Sequence, residues 1–167
     1  IIAIERDEAT VGILSGSSLK VVGTVYQHVS YKGSHNEKAL KHKFFKEIYD
    51  VIEQILKDRK NVDGIIIGGP GIIKDEFAGF LRDRLTKPIH IVTDQASSGT
   101  ASGIYEILRR GTALKISREM RIAQDMKDYE EFLEHLGRGD SLAVYGIDSV
   151  KRAIEWGAAK KVMVNIN

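Results

Sequence analysis

Two short apolar runs, each followed by a helical pattern, limit what this chain can fold into. Residues 62–69 read VDGIIIGG and residues 87–94 read KPIHIVTD. A short continuous apolar run bounded by Gly or Pro is typical of a strand buried on both faces. Behind the first run comes PGIIKDEFAGFLRDRL, and behind the second, after a small-residue turn, SGIYEILRRG. Both carry apolar residues at helical spacing, with Pro70 just before the first helix and Gly111 at the C′ position of the second.

Upstream, IIAIER, EATVGILS and LKVVGTVYQHV are β-branched and separated by turn residues such as SGSS, which predicts an antiparallel meander. A long helix should follow. Ser34 and Glu37 have capping-box spacing, and Leu40, Phe44, Ile48, Val51, Ile52 and Ile55 mark one buried face. The order β-β-β-α-β-α-β-α calls for an α/β fold, a mixed β-sheet flanked by helices with ribonuclease-H-like topology. After Gly111 the pattern changes to a charged amphipathic helix with Met120, Ile122, Met126, Tyr129, Leu133 and Leu136 as candidate core. Turn, helix and a strand ending in VMVNIN should complete the chain. A boundary near residues 112–118 divides the chain into a domain over 1–115 and an incomplete second α/β domain over 116–167. About 50 residues bury too little surface to stand alone. The chain has no initial Met and stops inside an apolar run, so it reads as a piece of a longer protein.

Composition excludes several classes. The 167 residues contain no cysteine, which removes disulfides, thiolate zinc sites and cysteine nucleophiles, and fits a cytosolic protein. There is no 18-residue apolar run and no secretory signal pattern. A net charge of +2 leaves any nucleic-acid role to local patches.

The turn ASSG (Ala96–Gly99), with Ser102 and Gly103 behind it, lies between strand and helix, where small residues often cradle a phosphate. It lacks the Lys of a P-loop, and IIGGPGII lacks G-x-G-x-x-G spacing, so these glycines read first as those of tight turns. Glu5, Asp94 and Asp63, with Asp7 and Glu8, could clamp divalent metal as a nuclease does if they converge. Otherwise they are caps or solvated groups. Lys32, Lys38, Lys41, Lys43 and Lys46 face one acid, Glu37, with His28, His35 and His42 among or beside them. Such a patch can neutralise phosphates, and it equally suits a solvated helix face. None of the five histidines has partners at triad or metal spacing. Arg109, Arg110, Lys115, Arg118 and Arg121 form a second basic cluster, opposed by Glu106 and Glu119; complementing helix dipoles is its simplest role.

Three segments in register carry a resemblance: VDGIIIGGPGIIKDEF, then ASSG, then AVYGIDSVKRAIEWGAAKKVMV (143–164). In order and spacing the chain resembles archaeal Pelota proteins, stalled-ribosome rescue factors related to class-one release factors, as their central domain plus the start of the C-terminal one. Where that family has Pro-Gly-Phe, this chain has Pro70-Gly71-Ile72. The resemblance implies a cytoplasmic, monomeric factor of no-go decay that occupies the ribosomal A site beside rRNA and P-site tRNA. It implies delivery by a GTPase resembling elongation factor one alpha, and subunit splitting with an ABC-type ATPase. Release factors hydrolyse peptidyl-tRNA with a Gly-Gly-Gln loop; YKGSHNE stands at the comparable place and no Gly-Gly-Gln occurs. On this reading Lys32, His35, Lys38, Lys41, Lys43 and Lys46 contact RNA. Pro70, Gly71, Ser97, Ser98, Gly99, Arg109 and Arg110 are the candidates for the GTPase side. No catalytic residue, metal or cofactor is expected in this chain. A divalent-metal endoribonuclease activity attributed to the family belongs to its N-terminal domain and is the alternative function.

Overall fold

A computed structural model describes residues 1–27, 37–59 and 61–164. Five strands and five helices follow in the order β1 (Ile2–Ile4), β2 (Glu8–Ser15), β3 (Ser18–Tyr26), α1 (Glu37–Asp58), β4 (Gly64–Gly68), α2 (Ile73–Arg82), β5 (His90–Asp94), α3 (Ala101–Arg109), α4 (Thr112–Arg138) and α5 (Ile147–Glu155). The strands form one mixed sheet in the order β3-β2-β1-β4-β5. β1, β2 and β3 are antiparallel neighbours, whereas β1–β4 and β4–β5 are parallel. This is the ribonuclease-H-like arrangement the pattern predicts. Ser34 of the capping box lies outside the described residues.

Period-two alternation explains why the central strands are apolar throughout. On one face Ile2, Ile4, Ile65 and Ile67 pack under Phe44, Phe45, Ile48 and Ile52 of α1 and Phe77, Ala78 and Leu81 of α2. On the other, Ala3 and Ile66 meet Ile104 and Ile107 of α3 and Ala113 and Ile116 of α4. The β2–β3 hairpin turns at Gly16, whose φ of +60° suits the first central position of a type II′ turn. Gly111 closes α3 at φ +79°.

The chain divides into two compact units, Ile1–Glu119 and Met120–Asn167. Residues 112–118 are the first turns of α4, with Ala113 and Ile116 buried in the first unit. The second unit corrects one expectation. Met120, Ile122, Met126, Tyr129, Leu133 and Leu136 are all more than a third exposed and form no buried core. Their helical periodicity is real, but none of the six is buried among the described residues. Nor do residues 161–164 form a strand, because a strand needs a ladder partner.

Candidate nucleic-acid interface

The basic residues of α1 sort by helical spacing. Lys38, His42 and Lys46 stand four apart, so they form one ridge beside the buried face. All three are exposed. Lys41 lies nearer the core and is engaged elsewhere: its Nζ donates to both carboxylate oxygens of Glu76 on α2, at 3.0 Å each. Lys43 stands 3.8 Å from Glu47 one turn on, an exposed pair of small energetic weight. Lys32 and His35 lie outside the described residues. One residue that pattern reading passed over joins the ridge. The Arg84 guanidinium sits 3.6 Å above the Phe80 ring, and its Nη2 is 3.2 Å from His42 Nε2. The i, i+4 spacing of Phe80 and Arg84 is the sequence signal for such stacking, but His42 is 42 residues away along the chain. Replacing Lys41 with Gln is expected to lower stability by at most about 1 kcal/mol and to leave RNA affinity unchanged; thermal unfolding and a filter-binding titration check both halves.

The turns proposed for partner contact lie at the C-terminal ends of the parallel strands. Pro70 and Gly71 are exposed, and Gly71 has φ +59°. The buried Lys74 folds back from α2 to donate its Nζ proton to the Gly71 carbonyl, which stiffens the turn. Ile72 is 72% exposed.

In the turn after β5, Ser97 is exposed, Ser98 half-buried and Gly99 buried. The Ser97 N–H donates to Glu106 Oε2 at 2.8 Å and its hydroxyl to Oε1, and those two bonds hold the Glu106 carboxyl below its usual range. The Gly99 N–H donates to Glu5 Oε1 at 3.1 Å. A Cβ on Gly99 would lie 2.2 Å from the Glu8 carbonyl oxygen, and one on Gly103 would lie 2.1 Å from that of Ser98. Close backbone approach therefore accounts for the small residues of this loop, without a phosphate. Gln95, Ala96, Ser97, Glu106, Arg109 and Arg110 line an open groove of about 400 Å³.

Asp94 ends β5, and its side chain is 9% exposed. It accepts from Arg110 Nε at 2.7 Å, from the Gln95 N–H at 2.7 Å and from the Thr112 hydroxyl. Burial alone would raise its pKa, but the bonds from Thr112, Arg110 and Gln95 outweigh that and hold it below 3.8. Glu5, Asp94 and Asp63 do not converge. Glu5 follows β1 and Asp94 ends β5, whereas Asp63 precedes β4, which runs parallel to both. The five residues of β4 put it roughly 16 Å away, at the opposite edge. Among the described residues no three acidic or histidine side chains come together in a way that could hold a metal ion. A second cavity, of about 270 Å³, lies between Ile13–Ser15 of β2 and Gly64–Ile66 of β4, where the sheet's middle strand is shorter than its neighbours. Of the residues singled out from sequence, it touches only Asp63, Ile52 and Ile55. No described helix is long and apolar enough to cross a membrane.

The profile of the eRF1 domain 2 family matches residues 1–118. The Pelota homologue of Methanopyrus kandleri is 36% identical over 164 residues, covering 98% of this chain and 46% of its own length. The chain thus spans about half the length of the curated relatives it matches. Among solved structures, a model of ribosome-bound archaeal Pelota and ABCE1 superposes with a TM-score of 0.70 at 26% identity, covering 93% of this chain and 44% of that one. The crystal structure of Archaeoglobus fulgidus Pelota superposes at 0.65 and 25% identity, with the same coverage.

Proposed function

The chain belongs to the eRF1 domain 2 family, and from that premise we propose that it is the central part of a Pelota-type ribosome rescue factor. The observation that carries this reading is the similarity to Pelota proteins over 98% of the chain, one of which has been described bound to the ribosome with ABCE1. The full-length protein would enter the A site of a stalled ribosome in the cytoplasm, as a monomer. A GTPase resembling elongation factor one alpha would deliver it, and an ABC-type ATPase would then act with it to separate the subunits. The absence of Gly-Gly-Gln from the sequence supports dissociation without peptidyl-tRNA hydrolysis. No observation favours the metal-dependent nuclease, whose carboxylates lie at opposite edges of the sheet or are bonded within the fold.

Within this reading the RNA-facing element is the α1 ridge of Lys38 and Lys46, with Lys43 beside it and Lys32 and His35 preceding the helix. The partner-facing groups are Pro70, Gly71, Ser97, Ser98, Arg109 and Arg110, while Gly99 positions the turn from inside. The test uses the full-length protein and ribosomes with an empty A site, titrated at several salt concentrations. Changing Lys38 and Lys46 to Gln should weaken binding about tenfold and flatten the salt slope by about two, one for each lost phosphate contact. Unchanged affinity and slope would reduce the ridge to a solvated helix face.

A further inference from the structure

We propose that Arg84 and the α1 ridge form a platform on which an unpaired RNA base stacks, its flanking phosphates held by Lys38 and Lys46. The inference deepens the ribosome-binding reading above and rests on it.

Surface arginines ordinarily lose side-chain freedom when they bind. Arg84 already makes three contacts within the fold. One guanidinium face lies on the Phe80 ring at 3.6 Å, Nη1 donates to the Phe80 carbonyl at 3.4 Å, and Nη2 lies 3.2 Å from His42 Nε2. A guanidinium can only donate, so in this contact His42 Nε2 is the acceptor. The support beneath is rigid as well. Phe80 packs against His42 at 5.5 Å, Phe45 at 5.4 Å and Phe77 at 6.1 Å between ring centres, and Phe77 is fully buried. The arrangement is a flat cationic surface anchored to the core, with Arg84 exposed to solvent.

Its neighbours select the ligand class. Lys38 and Lys46 lie eight residues apart on one helix, about 12 Å along the axis, one on either side of His42. Among the described residues no carboxylate pairs with Arg84, Lys38 or Lys46, whereas Glu76 is engaged by Lys41 and Glu47 by Lys43. A planar cationic face suits an aromatic base, because unpaired bases stack on arginine planes and any base has a π-face. Two lysines without a carboxylate partner among the described residues, flanking the Arg84 plane along α1, suit the phosphates of a single-stranded stretch better than one carboxylate of a protein loop. A paired helix keeps its bases stacked inside and offers the plane nothing.

The experiment titrates full-length protein against two labelled RNAs of equal length: a hairpin with an unpaired purine loop, and a blunt duplex. Arg84→Lys keeps the charge and removes the plane at an exposed position. It should weaken hairpin binding about tenfold, leave duplex binding within about twofold, and leave the salt slope unchanged. Lys46→Gln should weaken both and flatten the slope by about one. Equal losses of Arg84→Lys on both RNAs would make Arg84 a phosphate contact and overturn the stacking platform. So would an unchanged hairpin affinity, or a wild type that binds neither probe. Ribosome binding measured in parallel separates the two levels: wild type that binds ribosomes while Arg84→Lys has no effect sinks this inference alone. Wild type that fails to bind ribosomes sinks the rescue-factor reading with it.

Discussion

Replacing Gly99 with Ala should destabilise the first unit by at least about 3 kcal/mol, beyond the range of ordinary overpacking. The added Cβ would meet the Glu8 carbonyl oxygen at 2.2 Å and the Glu5 nitrogen at 2.8 Å, both of them backbone atoms. Neither can swing aside as a side chain would. Glu5 N–H and Glu8 C=O are bonded to each other at 2.8 Å across the β1–β2 turn, and the Gly99 N–H is itself tied to Glu5 Oε1. Relief would require the turn after β5 to withdraw from the turn after β1, which breaks that bond and exposes Ala96. Gly69→Ala should behave alike, since its Cβ would lie 1.9 Å from the Ile4 carbonyl oxygen. Gly79→Ala is the control: it sits within α2 with open space around its Cβ and should gain a few tenths to about 1 kcal/mol from helix propensity. Urea denaturation followed by circular dichroism checks all three. A loss below about 1 kcal/mol for Gly99→Ala would mean that the two turns can separate freely.

The same contact bears on function. A scan that finds Gly99 essential for partner binding would be reading the fold and not the interface, because the residue is buried. Arg109 is the exposed position at which a binding loss could be assigned to contact, because Ser97 and Arg110 also make bonds within the fold.

What could be read from the sequence, and what could not, follows the distance over which each feature is decided. The run at 64–68 is apolar on both faces because helices cover both, so composition and length alone identify β4. The helical face of Phe44, Ile48 and Ile52 is equally local. The fate of Lys41 is not, since Glu76 lies 35 residues on and only the packing of α1 against α2 brings them together. The close approach of Gly99 to Glu5 spans 94 residues, so in one dimension that glycine looks like any turn glycine. The error on α4 has a different origin. Periodicity shows which face of a helix is apolar, but burial needs a second surface over that face, and among the described residues the face stays more than a third exposed. Lys38 and Lys46 could be chosen from charge, whereas the placement of Arg84 against His42, between them on α1, depends on a tertiary contact.

Asp94→Asn should lower stability by about 2 kcal/mol, the range for hydrogen bonds to a charged group, discounted because Arg110 is 53% exposed. The carboxylate ties the end of β5 to Arg110 after α3 and to Thr112 at the start of α4, so its loss loosens three elements together. Its dependence on pH follows from the direction of the shift. The folded-state pKa is depressed below 3.8, so as pH falls the unfolded chain takes up a proton before the folded one does. The stabilisation is therefore complete above the unfolded value and is lost as pH drops through the folded one. In urea titrations the gap between wild type and Asp94→Asn should be widest near neutrality and should narrow below pH 3.8. A gap that stays constant into acid would show that the ionised form is not what the fold uses. The variant also separates structure from catalysis. If Asp94 served a metal-dependent nuclease, the Asn variant of the full-length protein would lose cleavage while keeping its stability. The geometry predicts a loss of stability instead, because each hydrogen bond that Asp94 makes is to a neighbouring residue of the fold, Gln95, Arg110 or Thr112.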